Sequence, residues 1–384
     1  MKTYLTKLIL LFIILLHVSC SEQTNKLNTV KSNVISSYKL DIYDTLKINN
    51  YQGKWFITDA VSNYLLGFDL NTNDLILINI ITNSIKMMNM LGGGPEEYGR
   101  IKAVSFLNDS TIVVLDDKRV NFYNFSGLFE ASYNINDKVG MVGWNFLFNI
   151  PCYYHRQDTC ILLRHYNYNY VSNNFDLVKW ITQVNLSKKL VQEFVPFQKY
   201  NFLINNKSEV FPDIVPFYDV SDSNIFIKYP YENFLEVYSV LDLGFKKRIN
   251  LLPDFFNRFP RKRKQEDSQK LFVNEQINSS FINLIVMPKV VINEYKTGIP
   301  KSKIVKTRAE LIQNDIDFRY RDYYAICTFN DDSISDDIAL QWHGNKFTTI
   351  TANSINQIFF HKLSSSNVED STFTLYIGRF IKKD

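Results

Sequence analysis

The chain has 384 residues, 46% hydrophobic, 15% aromatic and 21% charged, so it can bury a core and is too apolar to be disordered. Seven Ala stand against 30 Phe, 23 Tyr and 40 Asn, which favours strands and turns and argues against a helical bundle, a TIM barrel or a doubly wound α/β fold. With 43 basic and 39 acidic residues the charge is nearly balanced, and we therefore expect no nucleic-acid partner.

The first twenty residues have the pattern of a secretory signal. Lys2 and Lys7 precede an apolar run, 8–16, that is too short to cross a hydrocarbon core about 30 Å thick. The run leads to Val18-Ser19-Cys20, which resembles the lipobox of bacterial lipoproteins, although His17 stands where Leu is usual. An ordinary signal peptide with a chance cysteine is the alternative.

This pattern predicts a lipoprotein signal peptide at 1–19, lipid attachment at Cys20 and a polar, flexible tether at 20–37. The chain would then be anchored to a membrane through its N-terminal lipid rather than through a membrane-spanning segment. The predicted location is the cell envelope, at the outer membrane.

From Tyr38 onward, apolar runs of five to eight residues alternate with short clusters of Asn, Asp, Ser and Gly. Turn signals every 8–12 residues are typical of a β-sandwich, a barrel or a propeller. One short helix is predicted within Gln265–Ser280, and Ile304–Asn314 is ambiguous.

A weak internal repeat distinguishes among these β architectures. An Asp-Ser/Thr-x-apolar unit recurs at 109–112, 158–161, 222–225 and 370–373. We interpret it as a tight turn in which the Asp side chain caps its own backbone and leads into an inner strand. A four-stranded unit of roughly 40–60 residues is typical of a propeller blade.

The sequence therefore predicts an all-β fold, with residues 38–384 forming one six-bladed β-propeller domain. The terminal strand 371–381 would close the ring by pairing with 38–48. Seven blades, or two stacked β-sandwich domains, are the alternatives.

Two segments resemble a known family. Residues 91–99, LGGGPEEYG, are similar to a signature near the start of six-bladed β-propeller lipoproteins of Bacteroidota-type bacteria, with Glu96 where that family usually has Gly. Residues 317–324, DFRYRDYY, are similar to an Arg/Tyr-rich strand in the family's uncharacterised members. The resemblance implies a fold and an envelope location, and because the family is largely uncharacterised it transfers no catalytic residue.

The glycine cluster is a candidate turn on the ligand-binding face. Its residues are Gly92, Gly93, Gly94, Pro95, Glu96 and Tyr98. A phosphate-binding loop is not expected, because Arg100-Ile101 replaces the Lys-Ser/Thr that would reach phosphate and Mg²⁺.

His155, Asp158 and His165 are weak site candidates. Two His and a carboxylate could bind a metal or serve as acid and base, although the spacing also fits two neighbouring strands with surface His. No Gly-x-Ser-x-Gly motif is present, and a carboxylate pair formed across blades cannot be read from spacing. We therefore predict no catalytic residue, no metal and no cofactor.

The sequence allows two covalent modifications, a disulfide and O-glycosylation. Cys152 and Cys160 could face each other across a hairpin and form a disulfide. Thr45, Ser110, Ser333 and Ser371 lie in Asp-Ser/Thr-apolar triplets that resemble acceptor sites of envelope O-glycosylation in the same bacteria.

These features predict a lipid-anchored envelope propeller that acts as a binding or scaffolding module rather than an enzyme. Its partner would be an envelope protein or a carbohydrate, stacked on aromatic rings at the mouth of the channel. The alternatives are an envelope glycan hydrolase or lyase with its site at that mouth, and a purely structural partner of a membrane complex.

Overall fold

Six four-stranded antiparallel units succeed one another along the chain and form a ring. The computed structural model describes residues 29–30, 34–49, 54–135, 150–155, 158–164, 179–196, 209–210, 216–221, 223–257, 261–262, 268–313, 316–363 and 372–383. The first long strand of each unit lies toward the axis of the ring, and the inner strands of the fourth, fifth, sixth, first and second units contact one another in that order. The fold is a six-bladed β-propeller, as predicted, and neither seven blades nor two sandwiches describe it.

Within each blade we letter the strands A to D from the axis outward. In order A to D, blade 1 comprises Trp55–Val61, Tyr64–Asp69, Leu75–Asn79 and Ser84–Met88; blade 2 comprises Ala103–Phe106, Thr111–Leu115, Arg119–Asn124 and Phe129–Asn134; blade 3 comprises Cys152–His155, Asp158–Arg164, Lys179–Asn185 and Leu190–Pro196. Blade 4 comprises Phe217–Ser221, Asn224–Lys228, Phe234–Ser239 and Phe245–Asn250; blade 5 comprises Ser280–Val286, Val290–Lys296, Tyr323–Phe329 and a broken outer strand, Ile334–Ser335 with Ile338–Ala339. Blade 6 comprises Asn345–Ser354, Gln357–Leu363, Thr372–Lys382 and Tyr38–Asn49, and Gln341–Trp342 also pairs with its strand A.

Blade 6 closes the ring by joining the two ends of the described chain. Strand Tyr38–Asn49 pairs antiparallel with Thr372–Lys382, from Tyr38 opposite Lys382 to Asn49 opposite Thr372. This confirms the predicted closure, and it makes one blade depend on residues more than 300 positions apart.

The apolar core is divided among the interfaces between blades. Six clusters of buried residues occur in the described chain, and each contains side chains from two adjacent blades. Alternation along each strand supplies both flanks of a blade: Val113 packs toward blade 3, while Ile112 and Val114 pack toward blade 1. The ring is therefore held together by apolar contact all around the axis.

The two faces of the ring carry different connections. The B–C loops and the connections from strand D to strand A of the next blade lie on the face we call the top. The A–B and C–D turns lie on the opposite face, the bottom.

The Asp-Ser/Thr units mark equivalent places in three successive blades. Those at 109–112, 158–161 and 222–225 lead into strand B of blades 2, 3 and 4, rather than into an inner strand as predicted. In blade 2 the cap is Asn108, whose Oδ1 accepts the backbone N–H groups of Ser110 and Thr111 at 2.9 Å. The prediction that Asp109 caps its own backbone is therefore wrong, since Asp109 instead accepts the Ser62 hydroxyl of blade 1.

Two short strands precede residue 38. Thr29–Val30 adds in parallel to strand D of blade 4, and Val34–Ser36 adds in parallel to Ile334–Ser335 of blade 5. These pairs place much of 29–37, the second part of the predicted tether, against the outer edge of the ring. Residues 1–28, which include the predicted signal peptide and Cys20, lie outside the described residues.

The remaining elements lie on the top face and at the rim of the ring. They are the helices Ser268–Ile277 (α1), Arg308–Gln313 (α2) and Ile316–Tyr320 (α3), a 3-10 turn at Lys301–Lys303 and a strand pair of Glu209–Val210 with Arg261–Lys262. Helix α1 confirms the predicted short helix, and α2 resolves the ambiguous segment.

The Arg/Tyr-rich segment 317–324 is a helix followed by a strand, rather than the strand that its resemblance implied. Between α3 and Tyr323–Phe329 lies Arg321, which is 1% exposed. Its guanidinium donates to the carbonyl oxygens of Thr297 at 2.7 Å and Glu275 at 3.1 Å. A cation at the C-terminal end of α1 satisfies carbonyl groups that the helix itself leaves unpaired.

Candidate functional site

The residues that the structure describes form two cavities along the axial channel, one toward each face. The larger, about 660 Å³, lies toward the top face, and the smaller, about 310 Å³, lies toward the bottom face. Asn283 and Ile350 line both cavities, so the two adjoin at that level of the axis. In the described residues their walls come mainly from the inner strands of blades 1, 4, 5 and 6.

Aromatic side chains dominate the larger cavity, which we call the aromatic cavity. They are Trp55, Phe56, Phe217, Tyr231, Phe281 and Phe373. Trp55 and Phe373 form a tilted pair with ring centroids 5.8 Å apart, and both are only half-buried. Such rings keep part of their faces available to an incoming molecule.

Polar groups stand among these rings. Glu275, Lys296, Thr348 and His361 line the same cavity, and together they supply hydrogen-bond donors and acceptors and both signs of charge. A concave, largely apolar cavity with a few polar groups is the usual form of a small-molecule binding site.

The smaller cavity contains two carboxylates, and we call it the acidic cavity. Asp59 comes from the inner strand of blade 1 and Asp219 from that of blade 4. Because blades 1 and 4 are opposite one another in a six-membered ring, the two side chains approach the axis from opposite sides. No Lys, Arg or His is among the described residues that line this cavity.

Backbone N–H groups bind both carboxylates, and Asp59 also connects two neighbouring inner strands. Asp59 accepts the backbone N–H of Ala60 at 2.8 Å and that of Phe106, in blade 2, at 2.8 Å. Asp219 accepts the N–H of Val220 at 2.8 Å. These bonds hold both carboxylates in fixed positions at the wall of the channel.

Burial raises the pKa values of both groups. The pKa of Asp59 rises to about 6, because desolvation outweighs its two backbone hydrogen bonds. The pKa of Asp219 rises to about 7, chiefly through burial and in smaller part through the negative charge of Asp59. Near neutral pH the pair therefore exchanges a proton readily, which a general acid or a proton-sensitive group requires.

The glycine turn 92–99 belongs to a structural joint between blades 1 and 2. None of its residues lines either cavity. Tyr98 is fully buried, its hydroxyl lies 3.0 Å from the Asn73 carbonyl oxygen, and Arg119 donates to the carbonyl oxygens of Gly94 and Glu97. Burial raises the pKa of Tyr98 to about 12, so its hydroxyl stays protonated.

Gly92 leaves room for a side chain that folds back within this turn. The Glu97 carboxylate bends back to accept the N–H of Gly94 at 2.7 Å. A Cβ on Gly92 would lie only 2.0 Å from that carboxylate. A larger residue at position 92 would therefore displace the Glu97 carboxylate from this position.

The candidates in blade 3 are only partly brought together. His155 and Asp158 lie opposite each other across the A–B turn, while His165 lies outside the described residues. Asp158 accepts from Asn185 at 3.1 Å and pairs with Lys188 at 2.5 Å. Among the described residues, no group of three or more His, Cys, Asp or Glu side chains is arranged to hold a metal ion.

Cys152 and Cys160 are free thiols. Cys152 pairs with Ile161 and Cys160 with Tyr153, so the two cysteines lie on opposite faces of the blade. Burial raises the pKa of both thiols. A disulfide between them would require a one-residue shift of the hairpin register.

The predicted glycosylation sites differ in accessibility. Thr45 and Ser110 are exposed, whereas Ser333 is 6% exposed and its hydroxyl donates to Asp331 at 2.5 Å. Ser371 lies outside the described residues. In the described part of the chain, Thr45 and Ser110 are thus the members of the set that present an exposed hydroxyl.

Sequence reasoning missed Asp59 and Asp219. The available signal was their context, since each stands inside an apolar strand that reaches an A–B turn, ITDAV at 57–61 and FYDVS at 217–221. A carboxylate at such a position must find partners in the fold.

The fold and its channel define the chain as a six-bladed β-propeller with cavities along the axis. It is similar to a solved structure of a member of the DUF4221 family from Bacteroides vulgatus, with 13% identity, a TM-score of 0.62, and coverage of 91% of this chain and 99% of that one. It is also similar to a putative exported protein from Bacteroides fragilis, with 9% identity, a TM-score of 0.53, and coverage of 92% and 98%. No family model matches the sequence, and no curated protein does.

No helix among the described residues has the length and apolar character needed to cross a membrane.

Proposed function

We propose that this chain is a lipid-anchored propeller of the bacterial cell envelope that binds a carbohydrate in its aromatic cavity. The observation that carries the proposal is the cavity of about 660 Å³ at the top of the channel, which aromatic rings, among them the half-buried Trp55 and Phe373, line together with polar groups. A sugar ring presents C–H groups on its faces and hydroxyls at its edge, so it matches such a wall on both counts.

The envelope location is supported by two independent features. The lipobox-like sequence ends at Cys20, and one structural neighbour is described as an exported protein. The outer membrane is the proposed site of anchoring.

Lipid attachment can be tested by metabolic labelling with a clickable fatty acid in the native host. The parent chain should be labelled and Cys20→Ala should not, because the variant lacks the thiol that carries the lipid. His17→Leu is the matched control, since it restores the usual lipobox residue and should keep the label. Label on Cys20→Ala would refute anchoring at this residue.

The carbohydrate site can be tested with a glycan array followed by titration of the best ligand. Trp55→Ala should weaken binding at least tenfold, a loss of about 1.4 kcal/mol, because it removes one ring of the half-buried pair. Tyr43→Ala is the matched control, since Tyr43 is an exposed aromatic on the outer strand of blade 6. Equal weakening by both variants, or no glycan bound by the parent, would count against the proposal.

A glycan hydrolase is the second candidate, and the carboxylates of the acidic cavity favour it. A glycosidase needs one protonated and one ionised carboxyl group, and the raised pKa values of Asp59 and Asp219 fit that division. Mass spectrometry of the bound glycan after incubation distinguishes the two functions. An intact glycan supports a binding module, whereas cleavage that disappears in Asp219→Asn supports the enzyme.

A further inference from the structure

Exposed apolar side chains recur at equivalent places on the bottom face. The four most exposed large apolar residues in the described chain are Ile81 at 72%, Leu128 at 65%, Leu190 at 61% and Leu241 at 60%. They lie in, or directly after, the C–D turns of blades 1, 2, 3 and 4. A single exposed aliphatic residue is ordinary, but four successive blades exposing one at the same turn form a distributed apolar surface.

The turns satisfy their own backbone groups without using these side chains. Asn79 Oδ1 accepts the N–H of Ile81 at 3.0 Å, and Asn124 Oδ1 accepts that of Leu128 at 3.0 Å. Ser239 Oγ accepts the N–H of Leu241 at 3.1 Å. Local capping therefore fixes each turn, and no fold requirement explains an aliphatic residue at its tip.

The N-terminal segment approaches the ring from the same face. Strand Thr29–Val30 runs parallel to Phe245–Asn250, which begins at the C–D turn of blade 4. The N-terminal end of strand Thr29–Val30 is therefore directed toward the bottom face. Nine residues, 20–28, lead from the lipid-attachment site to Thr29. They span at most about 30 Å when fully extended.

We propose that the bottom face is a membrane-docking surface, on which Ile81, Leu128, Leu190 and Leu241 insert into the lipid interface. This rests on the lipid anchor of the proposed function, since a short link from Cys20 holds this face near the bilayer. The aromatic cavity then opens away from the membrane, where a ligand can reach it.

The test uses the processed chain without its lipid, residues 21–384, which retains every described residue. Flotation with vesicles of phosphatidylethanolamine and phosphatidylglycerol should show partitioning of the parent chain. The quadruple variant Ile81→Ser, Leu128→Ser, Leu190→Ser and Leu241→Ser should partition at least tenfold less, because four aliphatic side chains lose their burial in lipid. The matched control is Leu91→Ser with Leu252→Ser, two exposed leucines in D–A connections on the top face, and it should partition like the parent.

A second measurement keeps the proposal falsifiable if the quadruple variant folds poorly. A polarity-sensitive dye on Leu128→Cys should shift to the blue with these vesicles, while the same dye on Leu252→Cys should not. No vesicle binding by the parent, or equal losses in the quadruple and control variants, would overturn the proposal. The parent chain could instead self-associate without binding vesicles, while the quadruple variant is monomeric. That result would overturn the proposal and would show that the surface binds a second copy of the chain. Because the protein in this experiment carries no lipid, failure here is separate from failure of the Cys20 labelling.

Discussion

Gly378→Ala should destabilise the whole ring by about 2–3 kcal/mol, because it overpacks the strand pair that closes blade 6. Gly378 lies opposite Ile42 in strand D and opposite Ile358 in strand B. A Cβ at this position would stand 2.7 Å from the Asp41 carbonyl oxygen and 2.8 Å from the Ile42 side chain. Since one of these atoms belongs to the backbone, the strands must separate to admit a methyl group.

The measurement is urea-induced unfolding followed by tryptophan fluorescence and by circular dichroism. Gly93→Ala is the matched control, since a Cβ there meets no atom within 4 Å, and its free energy of unfolding should change by less than about 0.5 kcal/mol. A chain that ends before strand Thr372–Lys382 should lose cooperative unfolding, because Tyr38–Asn49 then has no partner. Equal stability of Gly378→Ala and Gly93→Ala would show that the ring does not depend on this contact.

The free energy of unfolding should fall by about 3 kcal/mol or more between pH 5 and pH 8, because carboxylic acids inside the ring must ionise. In the unfolded chain an Asp loses its proton near pH 4, whereas in the fold Asp59 holds it to about pH 6 and Asp219 to about pH 7. Between these values the folded chain binds more protons than the unfolded chain, so stability decreases as pH rises. The decrease is complete only about one pH unit above the folded pKa of Asp219, near pH 8.

Glu294 also makes the folded chain less stable as the pH rises. It is fully buried in blade 5, and burial raises its pKa to about 7 although Thr348 and Thr349 donate hydrogen bonds to it. In the folded chain Glu294 loses its proton at a higher pH than it does in the unfolded chain, so its ionisation also lowers the free energy of unfolding.

Thermal unfolding across this pH range measures the effect. The double variant Asp59→Asn, Asp219→Asn should lose more than half of the pH slope, since an amide does not titrate, and the readout is the slope rather than the stability at one pH. Asp109→Asn is the matched control, because Asp109 is an exposed carboxylate on the same face, and it should keep the parent slope. An unchanged slope in the double variant would show that the channel carboxylates do not control this titration.

Ring closure could be predicted from the sequence because it follows from local preferences. Alternating apolar residues in 38–48 and 371–381 specify two long strands, and a strand at each end of a propeller needs a partner. The glycine turn stands out in the sequence, but the hydrogen bond from the Gly94 N–H to the Glu97 carboxylate within it is a feature of the structure alone.

The sites were less predictable for a physical reason that Asp59 and Asp219 illustrate. They are separated by 160 positions in the chain, and they meet only because six blades place blade 1 opposite blade 4. The exposed residues of the C–D turns are a similar case, since Ile81 and Leu241 resemble core residues in the sequence, and only the turn geometry exposes them.

By itself the sequence determined the class of fold, the approximate blade length and the pairing that closes the ring, because strand and turn preferences act over a few residues. The tertiary structure alone decided which side chains share the axial channel, which flank of a blade each cysteine occupies and which face carries the exposed aliphatic residues. Those relations depend on blade number, strand register and the order of blades around the axis, which no local pattern of residues encodes.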